Sequence, residues 1–287
     1  MGLRIQNNIE AFNTHRQLTA TGNQASKAME KLSSGYRINR AADDAAGLGI
    51  SEKMRGQIGG LAQAQRNAQD GISLVQTAEG ALSEVHSMLQ RVRDLKVQIN
   101  NGTLDTNDQN AIGAEVIEIA KEVSNILSDT KFNGKALLNG TNNFSFQVGA
   151  NEGETISMVA TSLGSLSSGT GGITDLTGQS SAATASAAAS ALIGGALCDI
   201  DRIDDMIENV SKVRGQLGAV QNRLEHRLTN LATYQENLTA SESRIRDVDM
   251  AQEMTKFTKL NILQQAGTSM LAQANQAPQG VLSLLKG

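Results

Sequence analysis

Aromatic side chains are scarce in this chain: tryptophan is absent, two tyrosines and five phenylalanines make up 2% of the 287 residues, and Pro278 is the single proline. A compact enzyme usually packs its core around more rings than that. With one cysteine, Cys198, no intrachain disulfide can form. A net charge of -4 and a pI near 5.5, with no Lys/Arg block to offset them, argue against nucleic acid as the main partner. No apolar run approaches the length of a membrane span, so no membrane partner is expected. The opening MGLRIQNNIEAF has neither a charged n-region nor a continuous apolar h-region, so Sec-type export is not expected. Gly2 fits the start of a myristoylation motif, but Gln6 stands where Ser or Thr is required.

What the chain does have is period. Apolar residues recur at every seventh position through Ile203, Val210, Leu217, Leu224, Leu231, Leu238 and Ile245, with Ile207 and Leu228 at helical offsets between them. This spacing predicts one long coiled-coil helix, from about Asp199 to Val248. The same spacing joins Ala68, Val75, Leu82 and Leu89, with Val85, Val92 and Ile99 as a second row, and then Ile112, Ile119 and Ile126 with Val116 and Val123. Between these two rows, Asn101-Gly102 is expected to close one helix, and Thr106 with Gln109 to open the next as a capping box. So short a link makes the two helices antiparallel neighbours. At about 1.5 Å per residue the longest helix would run roughly 75 Å, so the expected shape is a rod.

Beyond the third helix the pattern changes. Asn133-Gly134 and Asn139-Gly140 are turn dipeptides, and FSFQV (144–148) alternates before GANEGE leads to TISMV (155–159), which predicts a β-hairpin. Residues 161–197 are mostly Ser, Thr, Gly and Ala, with Asp175 as the only charge and no heptads, a composition that leaves a loop, a small β-element and a poorly ordered segment open. The two ends mirror each other. Ala11, Leu18, Ala25 and Leu32 repeat by sevens, while Met250, Met254, Phe257, Leu260, Leu263, Met270, Leu271 and Ala274 occupy one broad face. Neither end has enough apolar surface to order by itself or on one other helix alone, so both are expected to be poorly ordered in the monomer and to fold on assembly, on one another and on neighbouring subunits. A membrane-surface helix is a weaker reading of the second end, which offers only Lys256 and Lys259 as cationic anchors.

Residues 32–50, LSSGYRINRAADDAAGLGI, raise three chemical possibilities. A dinucleotide loop needs GxGxxG after a strand, but Gly47 and Gly49 are followed by Glu52 and preceded by helix. An acid/base or metal pair at Asp43 and Asp44 would need partners, and His15, His86 and His226 are isolated from one another. The stretch reads best as a joint: Gly35 ends one helix, residues 36–40 cross in extended form, Asp43 or Asp44 caps the next helix, and Arg37 and Arg40 are available to pair with them. Asp199, Asp201, Asp204 and Asp205 lack the glycine and terminal Glu of an EF-hand loop and suit a first helical turn. No catalytic, cofactor-binding or metal site is expected.

LSSGYRINRAADDAAG resembles the N-terminal signature of bacterial flagellins. The similarity continues through QRNAQDGISLVQTAEGAL, LQRVRDL, KFNGKALL, FQVGANEGETI, SRIRDVDMAQEM and NILQQAGTSMLAQANQ, covering residues 1 to about 160 and 198–287. The resemblance implies a mainly α fold of long antiparallel coiled-coil helices with a small β-hairpin. Residues 1–42 with 250–287 would form an inner core, 43–160 with 198–249 a helical rod domain, and 161–197 a short exposed insert. It implies a structural subunit of a helical homopolymer, the flagellar filament that drives swimming, held together through Ile5, Leu18, Leu32, Met254, Phe257, Leu260, Leu263 and Leu271, with Gly35, Arg37, Arg40, Asp43 and Asp44 as the joint. It further implies secretion to the cell exterior through the flagellar export apparatus with an export chaperone, contact with filament cap and hook-filament junction proteins, and an animal Toll-like receptor as a partner at Arg91, Leu95 and Glu115. An exposed Arg beside an apolar Leu suits an interface anchor. The short insert and Cys198 depart from the family pattern. The alternatives are a hook-filament junction protein, which should match poorly through the hairpin and central helices, and a soluble coiled-coil scaffold or signalling module.

Overall fold

The heptad rows become five α-helices and two short antiparallel hairpins in the computed structural model of the protein, which describes residues 8–101, 103–138, 143–158 and 200–286, with side chains to 276. In chain order these are α1 (Ile9–Ser34), α2 (Ala45–Ile99), α3 (Thr106–Asp129), β1 (Lys131–Phe132), β2 (Lys135–Ala136), β3 (Phe144–Gln147), β4 (Thr155–Met158), α4 (Ile200–Arg246) and α5 (Met250–Lys286). The chain forms two compact units, Met1–Gln57 with Glu236–Gly287 and Ile58–Gln235. Ile5, Gly102, Asn139-Gly140, the insert 161–197, Cys198 and Asp199 lie outside the described residues.

The core of the second unit follows the sevenfold spacing closely. Ala68, Val75, Leu82 and Leu89 with Val85 and Val92 of α2 meet Ile203, Val210, Leu217 and Leu224 of α4 in one buried cluster. On α3 the buried stripe is Val116, Ala120, Val123 and Leu127, whereas Ile112, Ile119 and Ile126 flank it half-exposed. The helix therefore sits rotated toward its smaller residues. Its N-cap is Asp105, whose carboxylate accepts from the Thr106 N–H at 2.7 Å, so the helix opens one residue before the expected Thr106–Gln109 box. Asp105 wins because an ionised acceptor suits the positive end of the helix. Asp204, read among the acidic residues of the first α4 turn, pairs with Arg93 at 2.6 Å, and that carboxylate raises the Arg93 pKa.

Asn133 (φ 48°) and Gly134 (φ 77°) make the two-residue turn that pairs Phe132 with Lys135. Consecutive left-handed residues are what a type I′ hairpin requires. The predicted second hairpin pairs β3 with β4 antiparallel, from Phe144 opposite Met158 to Gln147 opposite Thr155. Glycine lets it dock. A Cβ at Gly71 would stand 3.1 Å from the Phe146 ring and 3.3 Å from Leu224, and one at Gly60 would stand 3.0 Å from the Ala150 Cβ. Polar contacts close the seat: the Asn67 amide donates to the Gln147 carbonyl at 3.1 Å, and Arg227 Nε donates to that of Val148 at 3.0 Å.

This packing separates glycines that serve a contact from those that do not. Gly71→Val should destabilise the second unit by about 1–3 kcal/mol through overpacking against Phe146 and Leu224. Gly80→Ala, where an added Cβ meets nothing within 4 Å, should stabilise by about 0.5–1 kcal/mol through helix propensity. Thermal denaturation of the two variants beside the parent checks both signs.

Candidate functional site: the terminal helix pair and its joint

α1 opens on Asn8, whose side-chain oxygen accepts from the Ala11 N–H at 3.1 Å, and closes on Gly35 in the left-handed conformation at φ 76°, its N–H donating to the Lys31 carbonyl. The face turned toward α5 is built from small residues: Thr21, Ala25 and Ala28 are buried, and Ala25 and Ala28 cluster with Leu260 and Phe257. Leu18 sits over Gly267, where an added Cβ would come within 3.1 Å of its methyl. Small residues at these positions let the two backbones approach closely.

Beside this seam both helices are interrupted, and the two interruptions are hydrogen-bonded. Tyr36 bridges Asp247, the Arg37 N–H donates to the Arg246 carbonyl at 2.7 Å, and the Val248 N–H donates to that of Gly35 at 3.0 Å. Arg246 then gathers the joint: its guanidinium lies 4.7 Å from the Tyr36 ring centroid and pairs with Glu52 at 2.8 Å. Asp44 caps α2 by accepting from the Gly47 N–H at 2.8 Å, and a Cβ at Gly47 would collide with that carboxylate and with Ile38. Asp43 accepts from the N–H groups of Asn39 and Arg40. The Arg40 N–H, helped by that of Asn39, holds the Asp43 carboxyl below its ordinary pKa.

The expected arginine pairing is corrected by this geometry. Arg37 donates to the Ile245 carbonyl at 2.6 Å and Arg40 pairs with Glu30 at 2.9 Å, so neither guanidinium serves Asp43 or Asp44. The carboxylates are already occupied by backbone donors, and the long arginine side chains reach past them to other elements. Leu95 lies on the inner side of α2. It is 2% exposed and belongs to the core of the second unit, while Arg91 is held at the surface by Glu115 at 2.8 and 3.0 Å. Arg91 is thus the exposed member of the pair, and the heptad places Leu95 on the seam side of α2.

The residues expected at polymer contacts divide between two faces. Leu18, Phe257 and Leu260 serve the α1–α5 seam, and Leu32 and Leu271 are half-buried. Met254 and Leu263 point outward at 50% and 46% exposure, joined by Met250, Ile262 (60%) and Met270 (61%), while α1 exposes Ile9, Phe12 and Met29. Met254, Thr258, Lys259, Ile262 and Leu263 line an open, mainly apolar groove along α5. The sequence reading missed that Ile262 belongs to this outer face, although its spacing of eight from both Met254 and Met270 is helical. No group of His, Cys, Asp and Glu suited to a metal occurs among the described residues.

A helical pair that satisfies its own seam yet leaves a second apolar face open presents a surface for association by packing. Residues 5–143 match the family model of the bacterial flagellin N-terminal helical region, and residues 200–285 that of the C-terminal helical region. Flagellin of Halalkalibacterium halodurans is 52% identical over 98% of this chain and 99% of its own, and flagellin of Bacillus subtilis is 50% identical over 99% and 100%. A solved structure from Vibrio parahaemolyticus, described as a flagellar hook-associated protein, shares the fold at a TM-score of 0.53 and 15% identity, covering 71% of this chain and all of the other. The chain belongs to the bacterial flagellin family.

The joint carries two tests. Gly35→Ala should cost about 1–2 kcal/mol, because φ 76° is strained for any residue with a Cβ. Asp43, with its depressed folded pKa, contributes stability that is present above the unfolded carboxylate pKa and lost as pH falls through the folded value. Asp43→Asn should therefore weaken the protein at neutral pH and match the parent at strongly acidic pH, as read by denaturant midpoints across the acid range.

Proposed function

We propose that this filament subunit polymerises by burying the outer face of α5, together with the exposed apolar residues of α1, against neighbouring copies. One observation carries the reading: Met250, Met254, Ile262, Leu263 and Met270 are exposed on a helix whose opposite face is already paired with α1. Each copy then offers one patch to a different patch of the next, and contacts of that kind generate an open helical polymer. The division into an inner terminal-helix domain (1–42 with 250–287), a rod domain (43–160 with 198–249) and an exposed insert (161–197) belongs to the same proposal. Flagellin membership at about 50% identity, over nearly the whole length of each relative, gives no support to the hook-filament junction or scaffold alternatives.

Several partners enter with the family. Passage through the flagellar export apparatus with a chaperone, extracellular placement, and contact with cap and junction proteins fit a filament subunit. A Toll-like receptor would meet the Arg91–Glu115 ion pair as its surface feature, with Leu95 supporting the helix from beneath.

Substituting the outer face alone tests the assembly mechanism. Ile262→Glu with Met254→Glu should raise the critical concentration for filament formation more than about tenfold, since an unpaired carboxylate buried in each contact costs several kcal/mol. Melting of the second unit should not move. A truncated chain of residues 39–249 should remain a folded, helical monomer under conditions where the full chain pellets. Filaments from either protein at the parent concentration would refute this assignment of the contact face.

A further inference from the structure

Pro278 lies within α5, four residues beyond Ala274, and proline carries no N–H. The Ala274 carbonyl therefore lacks the donor that every interior helical carbonyl normally has. Asn8 supplies it: its side-chain nitrogen donates to the Ala274 oxygen at 2.7 Å, while its side-chain oxygen caps α1 through the Ala11 N–H at 3.1 Å. Both ends of one amide are thus used, and the contact joins the first residue before α1 to the far part of α5.

Register is what this contact can set. Asn8 meets Ala274, Leu18 meets Gly267, Ala25 and Ala28 meet Leu260 and Phe257, and Tyr36 meets Asp247, all in one antiparallel alignment. Between the two polar ends the seam repeats by sevens, so a slip of one heptad keeps seam residues facing seam residues, with Leu260 or Ala274 in place of Gly267 opposite Leu18. A single polar group in a coiled-coil seam discriminates between such alignments because only one of them satisfies it. We propose that Asn8 and the carbonyl released by Pro278 form a register pin, making Asn8 a positioning residue for the terminal helix pair. The pin holds whether or not the chain is polymerised. Its consequence, that the outer apolar faces of α1 and α5 line up for a neighbouring copy, rests on the assembly reading above.

Engineered disulfides read the register directly in the full chain carrying Cys198→Ser. A Cβ at residue 267 would stand 3.9 Å from the Leu18 Cβ, within the span of about 3.5–4.5 Å that disulfides adopt. Leu18→Cys with Gly267→Cys thus reports the native alignment, and Leu18→Cys with Leu260→Cys or Ala274→Cys reports a slip of seven in either direction. Crosslink yields are compared in pellet and supernatant alike, so failure to pellet counts against the polymer reading while the yield ratio alone decides the pin. Asn8→Ser keeps a capping oxygen but is too short to reach Ala274. It should lower the native-to-slipped ratio about three- to tenfold, the range that one hydrogen bond supports. In the Pro278→Ala background α5 satisfies its own carbonyl, and Asn8→Ser should change the ratio by less than about twofold. An unchanged ratio in Asn8→Ser, or an equal drop with and without Pro278, would overturn the pin. Far-UV circular dichroism matching the parent ensures that the ratio reports alignment and not lost helix.

Discussion

Close backbone approach along the α1–α5 seam is the constraint on which the rest of this subunit turns. Alanine, threonine and glycine at the inward positions let two helices pair while spending few large apolar residues on the contact. The remaining large side chains, including Phe12, Met254, Ile262 and Met270, are thereby left on the outside. A seam of leucines would have produced a more stable hairpin, with the apolar surface consumed internally. The composition instead reserves it.

The second unit solves the opposite problem. Its seam of Val75, Leu82, Val210, Leu217 and Leu224 is large, fully buried and closed by a hairpin seated on Gly60 and Gly71. Burial of this kind needs no neighbouring copy. In the first unit, the joint lets α1 and α5 both break at one level: Gly35 supplies the left-handed turn, Asp44 restarts the helix, and Arg246 ties the crossing strands to Tyr36 and Glu52. Charge here organises backbone.

Much of this was legible in the residues because helix periodicity survives any tertiary arrangement. The long helix was expected from Asp199 to Val248 and runs from Ile200 to Arg246, and Gly35 and Asp44 act as the cap chemistry predicts. Three features were not legible, each for a physical reason. Arg37 and Arg40 were within chain distance of Asp43 and Asp44, but partner choice depends on carbonyls and carboxylates brought in from Ile245 and Glu30. The broad apolar surface of α5 could not be divided into inner and outer faces, because Met254 and Phe257 are equally hydrophobic and only the position of α1 separates them. The burial of Leu95 beside the surface Arg91 depends on the path of α2, which puts it on the seam side. One missed feature did leave a signal: a proline inside a helical pattern announces a free carbonyl four residues earlier, and the Asn8 contact is its answer.

The central claim is that the terminal pair carries the assembly surface while the second unit is complete in the single chain. Amide hydrogen exchange on the full chain, compared between monomer and sedimented filament, tests this most directly. α1 and the part of α5 from Met250 to Met270 should gain protection on polymerisation, while the α2 and α4 amides around Val75, Leu82, Val210 and Leu217 should already be slow in the monomer and change little. Gained protection confined to those central helices, with α1 and α5 exchanging equally in both states, would contradict it.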